Sequence, residues 1–166
     1  LSTMREALGG ILMMPSGYLA DSFTKYRPAI LAFALVTSGV AYFLVGLSPS
    51  FLWVLPAVGL IGLASAAWHP AAVASLSSRF PQQRGMALAL HGVGASVGDT
   101  IGPLCVGALL LFIGWQRLMQ YHLLPALILA FLLWRSLGSI YREEAPGPDF
   151  RAYLSGIKDM LRQRGV

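Results

Sequence analysis

Residues 28–78 read PAILAFALVTSGVAYFLVGLSPSFLWVLPAVGLIGLASAAWHPAAVASLSS, without a single Lys, Arg, Asp or Glu. A helix packed in a soluble core needs an apolar stripe and, opposite it, a polar face. This stretch is apolar all round, and it is long enough to cross hydrocarbon twice at about 20 residues per crossing. Ser48-Pro49-Ser50 interrupts it with turn-forming residues. It therefore reads as two membrane-spanning helices joined by a tight turn, 28–47 and 51–78.

The same pattern continues on both sides. Between Gly85 and Gln116 the one formal charge is Asp99, and Leu118 to Trp134 has none. Charged residues make up 11% of the chain, against roughly a quarter in an ordinary soluble domain. A soluble globular fold is excluded. The expectation is an all-α membrane protein with five transmembrane helices at 3–20, 28–47, 51–78, 85–113 and 116–137. The short links at Asp21 to Arg27, Ser48 to Ser50, Arg79 to Arg84 and Gly114-Trp115 make neighbouring helices antiparallel. The third and fourth spans exceed the hydrocarbon thickness and should tilt or bend, with Pro56, Pro70 and Pro103 as bend points.

Charge sets the expected orientation. Ten basic residues fall on one side: Lys25, Arg27, Arg79, Arg84, Arg135, Arg142, Arg151, Lys158, Arg162 and Arg164. Only Arg5 and Arg117 fall on the other. The positive-inside rule assigns the larger group to the cytoplasm of a cell (plasma or inner) membrane, so the chain starts outside and ends inside. It opens with Leu1 at an external position and shows no signal peptide. The expectation is that at least one further helix precedes it. After Ala145-Pro146-Gly147-Pro148, the residues Phe150, Tyr153, Leu154, Ile157 and Leu161 recur at helical spacing. Residues 141–166 thus read as a cytoplasmic loop carrying a short amphipathic helix, or as a linker or the run-in to another span.

Several function classes receive no support. The basic residues sit beside spans and form no aromatic-interleaved patch, so no nucleic-acid partner is expected. There is no metal-ligand cluster, phosphate loop or HExxH motif, and no cofactor is expected. Cys105 is the single cysteine, so no intrachain disulfide can form.

Two motifs carry chemistry. The first cytoplasmic loop contains Gly17-Tyr18-Leu19-Ala20-Asp21-Ser22-Phe23-Thr24-Lys25-Tyr26-Arg27. A carboxylate at a helix end with cations a few residues on can make charge-assisted bonds to a neighbouring helix. Bonds made in only one state bias a two-state equilibrium. The plainer alternative is a helix-ending Asp with positive-inside cations. The fourth span carries Gly94, Gly98, Gly102 and Pro103, with Gly107 beyond. Glycines four apart share a helix face and admit a close neighbour, and Pro103 permits a bend. Simple close packing is the plainer reading.

The loop resembles the G-x-L-A-D-R-x-G-R-R signature of the major facilitator superfamily, matching at Gly17, Leu19, Ala20, Asp21 and Lys25. Ser22, Thr24 and Tyr26 depart from it. Gly98 to Gly107 resembles that family's antiporter signature, G-x-x-x-G-P-x-x-G-G, with Val106 in place of one glycine. The resemblance implies a two-halved secondary transporter in which these five spans are helices two to six of the first half. It further implies alternating access, with the lipid bilayer, a small-molecule substrate, protons and the second half of the same chain as partners. An antiporter-like signature implies proton-driven export, and Gly17, Asp21, Lys25 and Arg27 would set the cytoplasmic gate. The family's Arg-x-x-x-Gly signature in the fourth helix is missing. His69-Pro70 stands there instead and resembles the fosmidomycin-resistance branch.

Polar groups within spans mark candidate sites. Asp99 is central in its span, while His91 and His69 lie about 9 Å and about 15 Å above the cytoplasmic ends of theirs. His69 therefore falls between the levels of His91 and Asp99, near the depth where secondary transporters place substrate and ion sites. Asp99 with His69 or His91 is the expected proton or substrate path. The alternative is that Asp99 bonds Ser96 or a helix neighbour and each His a carbonyl. His122, Tyr121, Trp53, Trp68 and Trp115 read as interfacial or packing residues. Two other functional classes remain open at this point. Gly94-Ala95-Ser96-Val97-Gly98 fits the serine-hydrolase pattern, which would mean an intramembrane protease, and a non-transporting scaffold or sensor could share the fold.

Overall fold

Apolar side chains between helices and apolar side chains facing lipid gain nothing from each other's exchange, because lipid tails are as apolar as leucine. Membrane helices therefore associate through small residues that let backbones come close. The structure, a computed structural model that describes residues 2–138, is built this way. Among the described residues, eleven of the thirteen buried apolar residues are alanines, the others being Leu31 and Leu118. The large side chains point outward: Phe33, Leu52, Trp53, Phe131 and Trp134 are all more than half exposed.

Helix α1 spans Ser2–Ser22, and a 3₁₀ turn at Thr24–Tyr26 leads into α2, Arg27–Leu47. Helix α3 spans Phe51–Arg79, and a second 3₁₀ turn at Pro81–Gln83 leads into α4, Arg84–Leu110. Helices α5, Trp115–Tyr121, and α6, Leu123–Gly138, complete the described chain. Among the described residues, four stretches are long and apolar enough to cross a membrane: Thr24–Leu47, Phe51–Arg79, Pro81–Leu110 and Trp115–Gly138. Helix α1 has the length for a fifth, at 21 residues, but it is not among those four. The loop and amphipathic helix expected at 141–166 lie outside the described residues.

Two local differences from the sequence reading have clear causes. The fourth helix stops at Leu110 instead of continuing to Ile113, because Phe112 and Ile113 both donate back to the Leu109 carbonyl and Gly114 is extended (φ −61°, ψ 147°). The segment expected as one helix at 116–137 breaks at His122. Pro125 has no N–H to donate to the Tyr121 carbonyl, so one bond of the helical ladder is lost at this point. Placed in the first turn of α6, it loses nothing, since N–H groups there have no intrahelical partner. Pro56, Pro70 and Pro103 lie inside continuous helices.

Helix α3 packs against α1 and α2, and α2 packs on its other side against α5 and α6. Two glycines of α2 admit close neighbours. A Cβ on Gly39 would stand 2.6 Å from the Ala126 Cβ, and one on Gly46 would stand 2.5 Å from the Gln116 carbonyl oxygen. Gln120 Nε2 then donates to the Gly46 carbonyl at 3.1 Å, and the Tyr42 and His122 rings meet at 4.8 Å between centroids. Helix α4 is the outlier, with contacts chiefly to α3 and α5 and no buried residue.

Candidate functional site

The loop between α1 and α2 is organised by Arg27. Helix C-termini leave carbonyls without partners and carry partial negative charge, and the ends of α1 and α3 meet beside the start of α2. The buried Arg27 side chain fills this junction. Its Nε donates to the Ala20 carbonyl at 2.7 Å, and one terminal nitrogen donates to the Ala74 carbonyl at 3.3 Å and Ser78 Oγ at 2.9 Å. The fork geometry of guanidinium suits one cation to several acceptors. Its ion pair with Asp21 is long, at 3.9 Å, and the Asp21 side chain is 64% exposed. Such a pair contributes little. Lys25 Nζ lies 4.9 Å from the centroid of the Tyr26 ring. No neighbour approaches within 4 Å of a Cβ built on Gly17. The loop thus holds one anchored cation, Arg27, and presents Asp21 and Lys25 outward.

The intramembrane residues are distributed over separate surfaces. His69 lines a groove of about 210 Å³ between α2 and α3, with Ser38, Ser65 and Trp68. His91 lines a different recess of about 370 Å³ beside the α3–α4 turn, with Leu76, Phe80 and Met86. Asp99 is exposed on α4. No hydrogen bond or ion pair among the described residues joins Asp99 to His69, His91 or Ser96; the Ser96 carbonyl instead accepts from Thr100 Oγ1 at 2.9 Å. No described atom outside α4's own backbone lies within 4 Å of a Cβ built on Gly94, Gly98, Gly102 or Gly107. Pro103, on the same helix, is exposed. Among the described residues no group of His, Cys, Asp and Glu could hold a metal ion.

Sequence reasoning passed over Gly39 and Gly46, two glycines that neighbouring helices pack against. Their seven-residue separation is two helical turns, a visible signal for one shared face. It also passed over Ser38 and Ser65, which spacing along one helix cannot join to His69.

The major facilitator superfamily matches residues 1–165. The chain belongs to the major facilitator superfamily. It is 33% identical over 149 residues to the puromycin resistance protein pur8 of Streptomyces alboniger, covering 85% of this chain and 29% of that protein. It is 29% identical over 124 residues to the multidrug resistance protein Stp of Mycobacterium tuberculosis, covering 74% of this chain and 23% of that protein. A third relative is the uncharacterized MFS-type transporter YfnC of Bacillus subtilis, at 30% identity over 118 residues, 71% of this chain and 28% of the other. The chain thus spans under a third of the length of these relatives. No solved structure matches it. Membership places the chain in a family of multi-pass membrane transporters and not of enzymes. Gly94-Ala95-Ser96-Val97-Gly98 accordingly lies within the continuous helix α4, whereas a hydrolase elbow needs a strand-to-helix turn.

Proposed function

We propose that this chain belongs to a proton-coupled exporter of small molecules that works by alternating access. The observation carrying this reading is its similarity to relatives named for puromycin and multidrug resistance. In this reading α1 to α6 supply helices two to six of a six-helix half, with Lys25, Arg79 and Arg84 in the cytoplasm. Asp99 is the coupling carboxylate. A charged carboxylate at mid-span costs about 2.5–3.5 kcal/mol on insertion scales, so its place on the open face of α4 suits a water-filled path shared with the rest of a transporter. His69 and His91 lie at shallower depths in separate recesses, and each serves its own stretch of the proton or substrate path. Gly94, Gly98, Gly102, Pro103 and Gly107 form the surface on which a helix from the other half slides or packs. Asp21 and Lys25, held out by the Arg27 anchor, close the cytoplasmic side, with Gly17 near the end of α1. The His69-Pro70 likeness to the fosmidomycin-resistance branch rests on a dipeptide, and the drug-resistance relatives favour a broader export role.

The test is puromycin accumulation in efflux-deficient bacteria expressing the complete coding sequence. Accumulation should fall well below the vector control, recover on adding a protonophore, and stay at the control level for Asp99→Asn present in the membrane at equal amount. An Asp99→Asn protein that exports as well as the parent removes Asp99 from the mechanism. A non-transporting sensor of the same fold would leave accumulation unchanged throughout.

A further inference from the structure

The groove between α2 and α3 has a polar lining in the middle of an uncharged stretch. Ser38 comes from α2, and Ser65 and His69 come from α3 one turn apart. By the helical rise they lie about 15–21 Å from the basic ends of their helices at Arg27 and Arg79. Trp68 forms one wall and is held there by the buried cluster of Leu31, Ala71 and Ala72.

Serine and threonine in a helix commonly return the hydroxyl to the carbonyl four residues back. Ser48, Thr100 and Ser136 do so, at 2.9, 2.9 and 2.6 Å. Ser38 and Ser65 do not, and among the described residues neither they nor His69 has any hydrogen-bond partner. Ser38 is half-buried, and Ser65 and His69 are exposed along the groove, so all three are open to a ligand; at this depth hydrocarbon supplies no partner for them. Three such groups facing one recess call for a ligand with hydrogen-bonding atoms along one edge. The charge-free surroundings select an uncharged ligand, and the indole of Trp68 offers a flat surface for an aromatic face. At about 210 Å³ the groove is smaller than the roughly 300–1,000 Å³ that whole ligands occupy, so it holds one ring system.

We propose that this groove is a subsite for an uncharged planar heteroaromatic ring, hydrogen-bonded at its edge by Ser38, Ser65 and His69 and stacked on Trp68. Its place in transport rests on the exporter reading above; the binding itself does not. Quinoline and naphthalene have the same shape, and only quinoline has a ring nitrogen to accept a hydrogen bond. Their binding to the complete protein in lipid nanodiscs, measured by saturation-transfer NMR against empty nanodiscs, separates edge recognition from greasy partition.

Quinoline should bind saturably and about 5-fold more tightly than naphthalene, the range of one net hydrogen bond. Ser65→Ala and His69→Phe should each shrink that preference, and the Ser38→Ala/Ser65→Ala/His69→Phe protein should lose it. Ser65→Thr, which keeps the hydroxyl, and Ser48→Ala, outside the groove, should retain it and report intact folding. Trp68→Leu should weaken both ligands alike. Equal binding of the two ligands to the parent, or a preference that survives the triple change, overturns the proposal. Export lost with the quinoline preference intact counts against the exporter reading alone, and equal binding with export intact counts against the subsite alone.

Discussion

Arg27 shows how far a residue's position constrains its role. Read along the chain it is one of ten cations on a single side, equally suited to topology or to a gate. In the fold its guanidinium reaches the Ala20 and Ala74 carbonyls and Ser78 Oγ, and so ties α1, α2 and α3 together at one end. A hydrogen bond to a charged group is worth about 1.5–3 kcal/mol. Arg27→Ala should therefore lower the thermal unfolding temperature in detergent markedly. Arg27→Lys should recover part of the loss, since an ammonium lacks the planar fork. Asp21→Asn, removing one end of an exposed 3.9 Å pair, should shift the same melt by little. A melt as sensitive to Asp21→Asn as to Arg27→Ala would show that the ion pair, not the carbonyl bonding, holds the junction.

Among the elements, the contrast between α2 and α4 is the clearest. Both carry glycines on a repeating face, but only those of α2 meet a neighbour in the described chain. Overpacking a tight contact costs about 1–3 kcal/mol, whereas Ala for Gly on an open helical face gains up to about 1 kcal/mol in helix propensity. Gly39→Ala and Gly46→Ala should lower the thermal midpoint of this chain in detergent, and Gly94→Ala and Gly98→Ala should leave it unchanged or raise it. The reverse ranking would place the tight helix contact in α4. The helices themselves were legible, because a charge-free run of this length leaves the chain no soluble alternative. The break at His122 was not, because it depends on the single N–H that Pro125 lacks within an otherwise uniform apolar segment. The glycine run of α4 marks a face that no described helix covers, for the same reason: spacing marks a face without saying what lies opposite it.

For the whole molecule, the sequence supplied depth and the structure supplied direction around each helix axis. The rise of about 1.5 Å per residue ranks His91, His69 and Asp99 by depth from numbering alone. It does not say that His69 shares a groove with Ser38 while His91 faces a separate recess; that depends on how α2, α3 and α4 pack. Superfamily membership was legible from the Asp21 loop and the Gly98–Gly107 run, because both are contiguous motifs. The proposed orientation can be read with a membrane-impermeant thiol reagent on intact cells, in a Cys105→Ser background. Cysteine at Ser50 should label from outside, and cysteine at Gln82 should label only after permeabilisation; the opposite pattern inverts the orientation. Coupled export itself is tested most directly by reconstituting the complete protein in proteoliposomes and following puromycin across an imposed pH gradient. Puromycin should move uphill against proton flow, with the gradient's collapse stopping it and Asp99→Asn abolishing it. Movement that only equilibrates puromycin, with or without the gradient, would contradict proton-coupled export.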